Sequence, residues 1–356
     1  MARLLYLRLA AARCLVVSSA SMATEIFKTH DFAFASRPSF AFADELPLGN
    51  LGLFTSPYGD YWKFMKKLCM TELLSTKQLE RSHGIRHEEM VQFLHVVLEK
   101  ANKKEMVDVG NELMKLTNNI VCRMLMSTRC SEKGDEADRI TELVKESFEA
   151  MDLTMRVYQD DKAEVKITRI HIKALLLDLF AGGTGTAAEA MQWTIAELMN
   201  NPEETLRLYP PGPIAPRECR QSCKIKGFDV PQKTMVIVNL YAIMRDPDLW
   251  DNPNEFRPER FLVSSKEQDN LAFTQNETKE PNFGFIPFGG GRKSCPGSML
   301  ALSMMHCTIA SMVQCFDWNL GGAKISMQVG GGFSLPMAHP LICLPVVHFN
   351  PFASSR

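Results

Sequence analysis

Cys295 ends the run Phe288-Gly289-Gly290-Gly291-Arg292-Lys293-Ser294-Cys295, and after Pro296-Gly297 a helical pattern opens at Ser298. Consecutive glycines let the chain take positive φ and bring backbone close to a bound group. A thiol at a helix entrance, ringed by amide N–H groups, favours the thiolate, the form that attacks electrophiles and ligates metals. Two plainer readings stand beside that one: a flexible loop, or a loop that cradles phosphate. A Walker-type cradle needs Gly directly before Lys, and Arg292 stands there instead. Two other runs carry chemistry. Glu204 and Arg207 are spaced three apart, on one face of a helix. Ala181-Gly182-Gly183-Thr184-Gly185-Thr186 puts hydroxyls among glycines inside an apolar helix, where the glycines could equally serve close packing. Zinc is not expected, because neither Cys219/Cys223 nor Cys307/Cys315 has a second pair at suitable spacing. His306 and His339 read as packing residues.

In their order along the chain these motifs resemble the cytochrome P450 superfamily of haem-thiolate monooxygenases. The loop matches its Phe-x-x-Gly-x-Arg-x-Cys-x-Gly pattern through Phe288, Gly291, Cys295 and Gly297, with Lys293 in place of the usual arginine. The resemblance implies that Cys295 is the axial ligand of haem b (iron protoporphyrin IX), its thiolate pushing electron density toward bound oxygen. Lys293 keeps the charge for a haem propionate and loses the bidentate fork. Glu204 and Arg207 match the family's Glu-x-x-Arg. Arg260, in Asn252-Pro253-Asn254-Glu255-Phe256-Arg257-Pro258-Glu259-Arg260-Phe261, would close a structural ionic triad with them. Thr186 falls at the oxygen-activating threonine, whose hydroxyl holds the water that delivers protons, while Gly185 replaces the acidic residue normally before it. Glu189, one turn on, is a substitute or simply an exposed side chain. Trp62, Lys66 and Arg217 would be further propionate partners, and Phe32 to Leu53, Gly182, Ile214 to Pro216 and Ser334 would face substrate.

Several stretches point within the superfamily to the plant endoplasmic-reticulum group that hydroxylates flavonoids and pterocarpans and includes flavone and isoflavone synthases. They are Ile26-Phe27-Lys28-Thr29-His30-Asp31, Phe34-Ala35-Ser36-Arg37-Pro38 and Tyr58-Gly59-Asp60-Tyr61-Trp62. That group draws NADPH electrons through a reductase flavoprotein on the cytosolic face of the membrane and oxidises a small hydrophobic substrate. The chain is shorter than such proteins around 151–160 and 201–203, where helices are expected to be deleted. The expectation is therefore one haem-thiolate domain over 1–356, lacking the membrane anchor and some internal helices. Its rival is a non-catalytic remnant that binds haem without turnover.

The elements that must hold these residues are mostly helical with a minor β part. Apolar residues at three- and four-residue steps predict helices over 61–71, 75–101, 108–126 and 136–151, and a long one over 168–200. A further helix is expected over 298–316. Short strands are expected at 4–9, 14–18 and 235–240, with a hairpin over 335–349. The aromatic stretch 32–58 reads as a long loop. No internal repeat is visible.

A chain of 356 residues that is 46% apolar can bury a large core. With 40 basic against 41 acidic residues there is no basic field for nucleic acid. The ten cysteines are scattered, which suits a reducing, cytosol-facing environment. Arg8 and Arg13 interrupt the apolar opening, so no secretory signal is expected, and no run reaches the roughly 18 to 20 apolar residues of a membrane span. Asn276-Glu277-Thr278 is consequently not expected to carry glycan.

Overall fold

The computed structural model describes residues 4–9, 11–38, 51–130, 168–198, 203–261, 283–320, 325–332 and 334–353. The expected helix over 136–151, the shortened stretch 151–160, residues 39–50 of the aromatic loop and Asn276 to Thr278 lie outside them.

In chain order the elements are strands β1 (Leu4–Leu9) and β2 (Ala12–Val17), then helix α1 (Ala20–Thr24), which runs into a π-turn at Glu25–Thr29. Helix α2 (Asp60–Leu68) ends in a second π-turn, Cys69–Leu73, and α3 (Thr76–Arg81), α4 (His83–Lys103), β3 (Val107–Asp108) and α5 (Val109–Met126) follow. Helices α6 (Arg169–Gly183), α7 (Gly185–Leu198) and α8 (Glu203–Leu208) precede strands β4 (Ile214–Glu218), β5 (Cys223–Ile225), β6 (Phe228–Val230) and β7 (Met235–Asn239). The chain closes with α9 (Leu240–Ile243), a 3-10 turn at Pro258–Phe261, α10 (Ser298–Cys315), β8 (Phe316–Asn319) and β9 (Ile342–Val347). The described residues form two compact units, each drawn from separate stretches of chain.

The first unit comprises 1–40, 193–295 and 329–336. Its sheet has the order β1-β2-β7-β4. The β2 strand pairs parallel with β7, Cys14 opposite Met235 and Val17 opposite Val238, while β1 and β4 run antiparallel to their neighbours. Val17, Val236 and Val238 are wholly buried and meet Ile26, Phe34, Ile225 and Ile243 in one core. Each such side chain contributes about 1.5–3 kcal/mol on burial. The β1 edge is different: Leu5, Tyr6, Leu7 and Leu9 are all exposed.

The second unit comprises 41–192, 296–328 and 337–356. Asp108 caps α5 by accepting the Asn111 amide at 3.1 Å. Glu89 of α4 is buried and ion-paired at 2.7 Å with both Arg123 and Arg129, tying α4 to the end of α5. Trp62, Met65 and Cys69 pack with Leu53 and Leu175 in a second core.

Five expectations need correction. The long helix over 168–200 is two helices that meet at Thr184, whose φ of −98° and ψ of −79° are distorted from ideal helical values. Gly182 and Gly183 precede the break, and the Thr184 and Thr186 hydroxyls bond to the carbonyls four residues back, a combination that bends helices. The helix over 75–101 is likewise split at Ser82. The tail is no self-contained hairpin, because β9 pairs with β8 and β3. Cysteines 122 and 130 form a disulfide beneath Met126 and Phe180, against the wholly reduced pattern expected. Finally, α10 has the length and composition of a membrane span. Leu300, Met304, Met305, Ile309 and Met312 are nevertheless buried within the protein, so one face of α10 packs against it while Met299 and Val313 are exposed.

Candidate functional site

The Cys295 loop belongs to the first unit and is built by its glycines. Gly289 and Gly291 stand at φ of 72° and 68°, so the chain reverses at each. The Cys295 amide donates to the Phe288 carbonyl at 3.0 Å, and the Ser294 amide to that of Gly291 at 3.0 Å. Gly290 matters for space: a Cβ there would sit 2.7 Å from the Phe27 ring. At Gly291 a Cβ would lie 3.1 Å from the Phe27 carbonyl and would also crowd the Asp31 carboxylate. The loop therefore lies flat on residues 27–31, with the Cys295 side of the turn exposed. Phe288 is half-buried, and Gly297 caps α10.

Three cations belong to the same unit. Arg217 on β4 is 2% exposed and Lys293 6%. The Arg217 guanidinium donates to the carbonyls of Pro216 at 2.9 Å and Gly290 at 3.1 Å and lies over the Phe27 ring. Burial first, and then the charge of Arg37, pull its pKa well below the ordinary arginine value, with Asp31 opposing. Arg37 donates to the Pro216 carbonyl at 3.0 Å, and burial lowers its pKa to about 10 against the influence of Cys295. Two guanidiniums that repel each other inside protein fit an anionic ligand.

Arg207, deeper in this unit, has no exposed surface and donates to the carbonyls of Met244 (2.7 Å), Pro253 (2.8 Å) and Glu255 (3.3 Å) while stacking on Trp250. Arg260 is half-exposed and donates to the Asn252 carbonyl at 3.1 Å. Both arginines thus brace the same 252–255 turn. The side chain of Glu204 lies outside the described residues.

In the second unit Thr186 is exposed, and its hydroxyl donates to the Gly182 carbonyl at 2.6 Å. Glu189 is half-buried rather than plainly exposed. Trp62 is buried, and its indole N–H donates to the Leu53 carbonyl at 2.9 Å, so in this structure that hydrogen serves the protein itself. The Lys66 ammonium lies 6.0 Å from the Trp62 ring, as the four-residue spacing on α2 dictates. Residues 51–56 are pinned by Asp178 of α6, which accepts the Phe54 amide at 3.1 Å, and by Tyr61, which donates to the Leu51 carbonyl.

A profile of the family described as "Cytochrome P450" matches residues 3–159, 149–203 and 203–344. The chain belongs to the cytochrome P450 family. Among curated relatives, Cytochrome P450 705A12 of Arabidopsis thaliana is 39% identical over 430 residues, covering 98% of this chain and 85% of the relative. Cytochrome P450 93A3 of Glycine max is 33% identical, covering 98% and 87%. The 3,9-dihydroxypterocarpan 6A-monooxygenase of Glycine max is also 33% identical, covering 95% and 85%. A solved structure of a zebrafish cytochrome P450 with abiraterone shares the fold with a TM-score of 0.80 at 21% identity, covering 98% of this chain and 97% of that one. The chain is thus an oxidoreductase of haem-thiolate monooxygenase type, with the cytochrome P450 fold. The family implies haem, and the first unit fits it: an exposed thiol for iron on a tight glycine turn, and the buried Arg217 guanidinium, with Arg37 beside it, suited to carboxylates. Arg37 is the site residue that sequence reasoning passed over. Its position in Ser36-Arg37-Pro38 looks like ordinary loop, and only the pairing of Ser36 with Glu218 of β4 brings it beside Arg217.

Proposed function

We propose that residues 1–356 act as one monooxygenase domain in which Cys295 ligates haem b, and that the substrate is a small hydrophobic plant metabolite of flavonoid or pterocarpan type. The observation carrying this is the exposed Cys295 on its double-glycine turn, in the unit that also buries Arg217 and Lys293. The substrate class draws its support from the pterocarpan 6A-monooxygenase relative and from the stretches around His30, Arg37 and Trp62. Bound haem supplies the oxygen activation, with electrons from NADPH through a reductase flavoprotein at the cytosolic face of the endoplasmic reticulum.

The chain's own residues do the rest. Arg217 and Lys293, with Arg37, hold the propionates. Phe288, Gly291 and Gly297 shape the loop and the start of α10, and Glu204, Arg207 and Arg260 brace the fold. The Thr186 hydroxyl already donates its hydrogen to Gly182, so its lone pairs accept from a water and hold it for proton delivery. Gly185 supplies no carboxylate there, which slows that delivery.

A second reading, a remnant that binds haem without turnover, is favoured by Gly185 and by the segmented family match. The matched stretches meet at 149–159 and at 203, and the relatives align over 430 residues or more against 356 here, consistent with internal segments missing near 151–160 and 201–203. Spectroscopy separates the readings. The reduced, CO-treated protein should show the thiolate-haem band, Cys295→Ala should abolish it, and NADPH oxidation with a reductase then tests turnover. A wild-type protein that stays colourless after growth with ample haem defeats the haem reading altogether.

A further inference from the structure

Asp31 lies 261 positions from Arg292 in sequence, yet both of its carboxylate oxygens are engaged by that one residue. Oδ1 accepts the Arg292 backbone amide at 2.9 Å, and Oδ2 pairs with the Arg292 guanidinium. Gly291, immediately before, has no room for a Cβ because the same carboxylate and the Phe27 carbonyl occupy the space. The carboxylate is itself anchored. It ends the segment that opens with the π-turn Glu25–Thr29, and on its far side the Arg220 amide donates to the Ala33 carbonyl at 2.8 Å. The guanidiniums of Arg220 and Arg292 lie 4.8 and 5.9 Å from the Phe32 ring. Arg292 is thus held by backbone and side chain together, three residues before Cys295.

We propose that Asp31 is a positioning residue for the cysteine ligand: by accepting the Arg292 amide and guanidinium together, it fixes the glycine loop so that the Cys295 sulfur stands where iron needs it. The proposal rests on the haem-thiolate reading and assigns the role to a residue that acts on the cysteine through Arg292. A charge-assisted bond to a backbone amide is among the stronger contacts a loop can have, and a glycine-rich turn freed of it gains many conformations. Such a loop presents its sulfur in several places, and the thiolate bond forms in a fraction of molecules only.

The test compares the full-length wild type with Asp31→Ala, Asp31→Asn and Arg292→Ala by two measurements. Hydrogen exchange of the peptide spanning 288–297 reports the loop directly, with or without haem. The share of haem giving the thiolate band after reduction and CO treatment, at matched haem content, reports the ligand. Asp31→Ala should speed exchange at the Arg292 amide about tenfold, and should shift haem from the thiolate band to the band of a lost or protonated thiolate. Arg292→Ala keeps the amide bond and Asp31→Asn keeps an acceptor for it, so both should fall between wild type and Asp31→Ala. Wild-type exchange and band share in Asp31→Ala overturn the proposal. Should Asp31→Ala show no cooperative melting, the other two variants decide, and wild-type values in both overturn it. A wild type lacking the thiolate band defeats the haem reading instead, while the exchange measurement still reports on the clamp.

Discussion

The Arg207 guanidinium has no surface in water, and three backbone carbonyls and the face of Trp250 make its burial tolerable. Removing the guanidinium takes away its bonds to one buried and two part-buried carbonyls together with its stack on Trp250, so Arg207→Leu should destabilise the protein by about 3 kcal/mol. Arg207→Lys should cost nearly as much, because a single ammonium cannot span carbonyls that a planar fork reaches. Denaturant unfolding measures both, and a loss under about 1 kcal/mol in Arg207→Leu would refute the bracing role. At this scale the sequence was legible where a residue's chemistry is local. The glycines around Cys295 announce a turn, and the structure has it, with positive φ at Gly289 and Gly291. It was illegible where burial decides. Nothing in Ser36-Arg37-Pro38 reveals that Arg37 shares a patch with Arg217, and nothing in Trp62 reveals that its N–H faces Leu53.

Periodicity found the longer helices described, because apolar stripes record which face is buried, and it passed over the short α9. It could not see where hydroxyls and glycines break a continuous stripe, as at Thr184, nor which distant strand a tail strand would join, as with β9. Two predictions belong to helix ends. Burial works to raise the Glu89 pKa, but hydrogen bonds and charges from Arg129 and Arg123 outweigh it and hold the group below its ordinary 4.5. The folded pKa is thus the depressed one: the stabilisation is fully present above the unfolded pKa and is lost as pH falls through the folded one. Glu89→Gln should therefore cost about 3 kcal/mol at neutral pH and flatten the acid limb of the stability curve, as read by unfolding across pH. The Cys122–Cys130 disulfide closes a short loop at the end of α5. Reducing it should lower stability by about 2.5 kcal/mol, which a paired Cys122→Ala, Cys130→Ala variant should reproduce without changing the thiolate band.

For the whole molecule the proposed internal gaps carry their own forecast. A chain missing segments near 151–160 and 201–203 shields its substrate poorly from water, so NADPH oxidised with a reductase should appear mainly as hydrogen peroxide rather than hydroxylated product. Tight coupling of NADPH to product would contradict this. The first unit has a consequence of another kind, since β2 finds its parallel partner β7 only at Met235 to Val238, and Arg292 reaches Asp31 later still. During vectorial synthesis the β1–β2 pair therefore emerges from the ribosome long before its partner strand β7, with Leu5, Tyr6, Leu7 and Leu9 open throughout. Parallel pairing across such a distance is slow to close and leaves the nascent chain sticky meanwhile. Yields in a heterologous host should thus depend on chaperone supply and slow translation, and cofactor capture should begin only after the last third of the polypeptide has been made.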